Sequence, residues 1–199
     1  MPRIFVAIPV AGPVRAALGR LRRHPAPALR WVAEHQYHIT LKFLGDVDEA
    51  GVAAVHEAVA QAVAATPLPR RHDSTGAGAE GVHAAGLHLV ARGIGAFPSP
   101  RRARVVWAGV AGEAEALVRL QAAVADRLSF LPVDADEKPF TPHITVARSR
   151  RPGPLPAALQ AYADHEFGRW RADAVEVVES RLQPTGPRYI VRHRVLLGS

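Results

Sequence analysis

The alternation of apolar and polar positions divides the chain into a series of short elements. Arg3-Ile4-Phe5-Val6-Ala7-Ile8, rich in β-branched and aromatic residues, predicts a strand at the N-terminus. After Gly12-Pro13, apolar Val14, Leu18 and Leu21 fall at helical spacing among Arg15, Arg20, Arg22 and Arg23, and Pro25 and Pro27 end that helix. Trp31 to Tyr37 leads into a strand over His38 to Leu44, closed by Gly45-Asp46. Asp48 or a neighbour caps a helix whose Val52, Val55, Val59 and Val63 form one apolar stripe, with Thr66-Pro67 as its stop. Arg70 to Gly86 is glycine-rich and lacks the Gly-Lys-Ser/Thr of a nucleotide-binding loop, so it is expected to be a flexible loop. Strands over Leu87–Ala91 and Arg104–Val110 follow. A helix over Glu113–Leu128 is buried through Leu117, Leu120, Val124 and Leu128. The remainder predicts a strand from His143, a helix around Pro156–Tyr162, and strands near Ala174–Ser180 and Tyr189–Leu196.

This order contains a repeat. Strand, helix and His38-Ile39-Thr40-Leu41 in the first half parallel strand, helix and His143-Ile144-Thr145-Val146 in the second. Each half reads β-α-β with a His-x-Thr strand last, and two such lobes side by side bring the histidine strands to a pseudo-twofold axis. Strands and helices alternate, so the class is α+β. Along a strand, side chains alternate between faces. His38 and Thr40 therefore share one face, as do His143 and Thr145.

Two imidazoles across a cleft can serve one displacement as general base and general acid, because imidazole titrates near neutral pH. A hydroxyl two residues on can donate to a phosphoryl oxygen held between them. A water deprotonated by one histidine then attacks phosphorus while the other protonates the departing ribose oxygen. By simple alternation Lys42 joins the face of His38 and Thr40 as the cation for the developing charge, while Ile39, Leu41 and Phe43 turn to the core. A single His-x-Thr is weak evidence, whereas a second copy on the equivalent strand of a repeat is not. The other histidines lack such a partner, and no Glu-x-x-His or tight His/Asp cluster points to a metal site, so neither metal nor cofactor is expected.

Composition sharpens this picture only slightly. The chain has 199 residues, 48% of them hydrophobic, enough for a sizeable core in one domain or two intimate lobes. Without cysteine there is no disulfide framework and no thiolate chemistry. The formal charge of +7 favours polyanionic partners such as RNA, although nearly all of it is Arg, with Lys only at Lys42 and Lys138, and an ordinary solvated basic surface explains it equally well. No signal peptide or membrane span is read, which makes a cytoplasmic location the expectation.

Several blocks resemble the RNA 2′,3′-cyclic phosphodiesterases, also called 2′-5′ RNA ligases, of the two-histidine phosphoesterase superfamily. They are Arg3 to Ile8, His38 to Gly45, Phe97-Pro98-Ser99-Pro100-Arg101-Arg102 through Trp107, Pro139-Phe140-Thr141-Pro142-His143 through Arg148, and Gly186-Pro187-Arg188-Tyr189. The resemblance covers most of the chain, 1–199, as one domain of two pseudo-symmetric lobes, with antiparallel-rich sheets around a central cleft. It implies hydrolysis of an RNA or nucleotide 2′,3′-cyclic phosphate to a 2′-phosphate, without a metal; apart from the resemblance, a monomer with no obligate protein partner and no membrane is expected. It makes His38 and His143 the catalytic pair, with Thr40 and Thr145 holding the phosphate. His143 is expected to activate the water and His38 to protonate the 3′ oxygen. Arg148 matches the family pattern as a phosphate contact, but needs a bulge or strand end to reach the face of His143. Arg101 and Arg102 either border the cleft on the substrate backbone or are loop charges. Phe43 and Phe140 are candidates for stacking on a base, with core the preferred reading for Phe43; Trp107 is expected in the core and Tyr189 in a structural role. Two other readings use the same sequence: reversible 2′-5′ joining of RNA ends at the same site, and a basic RNA-binding module without turnover.

Overall fold

The computed structural model describes residues 1–69, 86–133, 139–184 and 186–198. The glycine-rich segment expected to be a flexible loop lies outside them apart from Gly86. Among the described residues nine strands pair antiparallel into two sheets. The first contains β1 (Arg3–Pro9), β3 (His38–Asp46), β8 (Ala174–Gln183) and β9 (Gly186–Leu196), in the order β3-β1-β8-β9. The second contains β2 (Leu29–Trp31), β4 (Leu87–Phe97), β5 (Ala103–Gly112), β6 (His143–Gly153) and β7 (Glu166–Ala172), in the order β2-β6-β5-β4-β7. The helices are α1 (Gly12–Gly19), α2 (Glu49–Ala65), α3 (Ala114–Arg127) and the short α4 (Ala157–Gln160).

The repeat is real but its halves are interlocked. In each, the His-x-Thr strand lies antiparallel to the strand that opens the repeat, β3 against β1 and β6 against β5. The connecting helices do not stay with their own strands. α1 follows β1 of the first sheet but packs on β7 of the second, where Val14 lies so close over Gly168 that an added Cβ would sit 3.2 Å from its methyl. α3 joins strands of the second sheet but packs on α2 and on β3, with the Gln121 amide donating to the Leu41 carbonyl at 3.2 Å. Each sheet is therefore covered in part by the helix of the other half, which locks the two sheets together.

Local chemistry explains most of the boundaries. Asp48 caps α2 by accepting from the Gly51 amide at 2.7 Å. The stripe Val52, Val55, Val59 and Val63 is buried, as is the α3 stripe through Leu117, Leu120 and Val124. The predicted strand at 87–91 runs on to Phe97, because a bulge at Gly93, in the left-handed region at φ 73°, lets the chain continue through residues with weak β propensity. β2 is only three residues long, and β7 contains Gly168 with apolar residues at uneven spacing, so neither was marked by alternation.

Candidate active site

The residue between His and Thr anchors each histidine strand. Ile39 and Ile144 are completely buried, each burial stabilising by about 1.5–3 kcal/mol, so the flanking His and Thr are turned to the opposite face, where the two sheets confront one another. His38 and His143 are both half-buried there.

The same hydrogen bond orients both imidazoles. Nδ1 of His38 lies 2.7 Å from the carbonyl oxygen of Gln36, and Nδ1 of His143 lies 2.7 Å from that of Thr141, in each case two residues back. A carbonyl can only accept, so Nδ1 carries the proton and Nε2 is the nitrogen left without one in the neutral ring. Nε2 of His38 is 3.0 Å from Thr40 Oγ1. Aromatic rings hold each imidazole from the side. Phe5 and Tyr189 lie 4.8 and 5.4 Å from His38, and Phe97 and Trp107 lie 5.1 and 6.4 Å from His143, centroid to centroid.

A β-bulge follows the threonine in both strands. Thr40 pairs with Ala7, Lys42 with Val6 and Phe43 with Phe5. Likewise Thr145 pairs with Trp107, Ala147 with Val106 and Arg148 with Val105. Cross-strand partners share a face, so the extra residue shifts the alternation by one beyond each threonine. Arg148 thereby joins His143 and Thr145, as its expected role required. On the first strand the same shift places Phe43, 45% exposed, on the histidine face, while Lys42 pairs with Val6, which is completely buried on the helix side. The expectation that Lys42 shares the face of His38 is thus corrected, and the core reading of Phe43 with it. Arg148 and Phe43 occupy equivalent places in the two halves.

The matching family model spans residues 10–184 and describes the 2′-5′ RNA ligase superfamily. The chain belongs to that superfamily. A curated relative from Thermus thermophilus named RNA 2′,3′-cyclic phosphodiesterase is 33% identical over 98% of this chain and 90% of its own length. One of the same name from Archaeoglobus fulgidus is 31% identical over 94% of this chain and 96% of its own. A third, from Geobacillus stearothermophilus, is 35% identical over 72% of this chain, which there spans only 41% of the relative. A crystal structure of a Thermus thermophilus protein matches with a TM-score of 0.69 at 29% identity, over 99% of this chain and 98% of that one. Escherichia coli LigT complexed with 3′-AMP shares the fold, with a TM-score of 0.73 at 22% identity over 100% and 99% of the two chains.

Electrostatics in this superfamily member separates the remaining candidates. The ordinary imidazole pKa is about 6.5, and both histidines titrate below theirs. Burial is the largest cause for each, partly offset by the carbonyl on Nδ1, and the positive charge of Arg148 lowers both further. His143 adds to the depression of His38. Arg148 is thus a cation whose charge acts on both rings. Arg101 and Arg102 lie in an exposed turn over Pro100–Arg102, next to Phe97, which reaches His143 through its ring alone. Phe140 is half-buried against the core.

Trp107, expected in the core, stands against His143, and Tyr189 packs on the buried Phe5, Ala7 and Val178 and on His38. Trp107 lies over Gly95, where any Cβ would come within 2.3 Å of the indole ring. Sequence reasoning also missed Gln36. Its carbonyl accepts a hydrogen bond from His38 Nδ1, its side-chain oxygen accepts from the Ala33 amide at 3.3 Å, and its side-chain amide donates to the Pro187 carbonyl beside Tyr189. No spacing rule finds a residue that works through its main-chain carbonyl.

Among the described residues no group of three or more His, Cys, Asp or Glu is placed to hold a metal ion, and no helix is long and apolar enough to cross a membrane.

Proposed function

We propose that this protein is an RNA 2′,3′-cyclic phosphodiesterase, opening a ribose 2′,3′-cyclic phosphate to a 2′-phosphate with His38 and His143 as a general acid/base pair. The observation that carries the reading is the matched orientation of the two imidazoles, each with Nδ1 on a main-chain carbonyl and Nε2 left for chemistry. In the proposed reaction His143 Nε2 takes a proton from water as the water oxygen bonds to phosphorus. The bond from phosphorus to O3′ breaks, and His38 Nε2 delivers its proton to O3′. The products are a 3′-hydroxyl and a 2′-phosphate. In favour of His38 as the acid, the hydroxyl oxygen of Thr40, 3.0 Å from Nε2, can accept from the protonated ring, although burial and the charges of Arg148 and His143 oppose that form before an anion binds. Charge developing on the phosphoryl oxygens falls to Arg148 and the hydroxyls of Thr40 and Thr145, without a metal ion.

Incubating the protein with a nucleoside 2′,3′-cyclic phosphate in EDTA and resolving the product isomers tests this. Release of the 2′-phosphate is expected. The 3′-phosphate as sole product overturns the assignment of the leaving oxygen, and absence of turnover on cyclic mononucleotides and cyclic-ended RNA alike overturns the function.

The pH dependence has a definite sign. One ring must be neutral and the other protonated, which gives a bell. In the free enzyme both pKa values are depressed, so kcat/KM is expected to begin its alkaline fall below the ordinary imidazole value of about 6.5. A bound phosphodiester anion favours the imidazolium and raises the pKa of the acid, so the alkaline limb of kcat lies at higher pH. Profiles of kcat and kcat/KM between about pH 4.5 and 8.5 check this, and coincident alkaline limbs contradict it.

A further inference from the structure

The short strand β2 brings a second arginine to the face of the site. Arg30 pairs directly with Arg148 across β2 and β6, so the two side chains leave the same side of the sheet from Cα atoms about 5 Å apart. Both are exposed, and neither is ion-paired to a carboxylate among the described residues. Like charges directly opposite one another destabilise a strand pair. An unrelieved Arg–Arg pair at the mouth of a phosphate site is therefore a cost to the fold that a polyanion repays.

The two arginines do not do the same thing. Arg148 lies on the histidine strand β6, three residues beyond Thr145, whereas Arg30 lies one strand further out, on the edge strand β2. Arg148 thus belongs with the reacting phosphate and Arg30 with a charge beyond it. Guanidinium groups grip phosphodiester oxygens with paired hydrogen bonds, and such contacts dominate affinity for nucleic-acid backbones.

We propose that Arg30, paired with Arg148 on the edge of the site, binds the phosphodiester next to the cyclic end, so that the substrate is the end of an RNA strand in preference to a cyclic mononucleotide. This rests on the cyclic phosphodiesterase reading above. Arg30 is a specificity determinant, reading the length of the strand and taking no part in the proton transfers.

The test compares the wild type with Arg30→Gln on a nucleoside 2′,3′-cyclic phosphate and on a short RNA ending in a 2′,3′-cyclic phosphate. Thermal melting serves as the control for folding. The ratio of kcat/KM for RNA to that for mononucleotide is expected to favour RNA in the wild type and to fall about tenfold in Arg30→Gln, with Arg30→Glu lowering it further. Between about 50 and about 200 mM salt, the dependence of log KM for RNA on log salt is expected to flatten by ~0.7, the share of one lost contact on a single strand. An unchanged ratio in Arg30→Gln, or equal losses on both substrates, overturns the inference while leaving the hydrolase intact. A wild type that hydrolyses neither substrate defeats the underlying function itself.

Discussion

Replacing either His38 or His143 by Gln is expected to lower kcat on a cyclic phosphate by on the order of 10³-fold, the usual contribution of a positioned general acid or base. Glutamine is the informative substitution. Its amide can still donate to the carbonyl of Gln36 or Thr141, so the strand and the cleft keep their shape while the titrating nitrogen is lost. The histidines sit on strands anchored by Ile39 and Ile144, and neither imidazole lies within the main hydrophobic cluster, so both variants are expected to melt within a few degrees of the wild type. The double variant should lose little more than the worse single one, because a concerted pair fails as a unit. Single-turnover rates and melting curves for the three proteins decide the matter. A variant that retained wild-type turnover would remove that histidine from the chemistry altogether.

How far the chain could be read in advance depended on what kind of signal each part carried. The two histidine strands were legible because a buried isoleucine between two polar residues is a period-two pattern, and because it occurs twice. The helices α2 and α3 were legible from their apolar stripes, and the α2 cap from Asp48. The interlocking of the halves was not legible, because a helix stripe says that one face is buried but not against which sheet. Of the bulges, a displacement beyond Thr145 was legible only because Arg148 matches the family pattern, and the one beyond Thr40 was not legible. Val146 and Ala147 in one strand, and Leu41 in the other, are apolar either way, and only pairing with the neighbouring strand reveals the shift in face. The consequence was specific: strict alternation put Lys42 on the site, and the bulge replaces it with Phe43. Trp107 was misjudged for a related reason. An aromatic residue in an apolar strand reads as core, yet here its ring is only half-buried and faces the His143 imidazole.

Arg148 is where the bulge has its greatest functional weight, and its removal is the second large effect expected. Arg148→Gln should lower kcat/KM on a cyclic phosphate by roughly 10²–10³-fold, the range seen when a preorganised group facing transition-state charge is deleted. Lys42→Gln, altering the residue that alternation would have chosen, should change it by less than about threefold, since a surface charge change off the reacting face has little effect. The comparison separates the two faces that the bulge creates. A second readout separates lost charge from lost shape. Arg148 lowers the pKa of both imidazoles in the free enzyme, so its neutral replacement should move the alkaline limb of kcat/KM to higher pH while the maximum falls. A merely distorted site would lose activity without moving that limb. Arg148→Lys keeps the charge but not the planar, two-pronged donor. It is expected to hold the limb near its wild-type position and to recover only part of the rate, because a point charge cannot reproduce bidentate contact with a phosphate. Equal losses in Arg148→Gln and Lys42→Gln, with no movement of the limb in either, would mean that neither side chain meets the phosphate in the way the register of β6 against β5 requires.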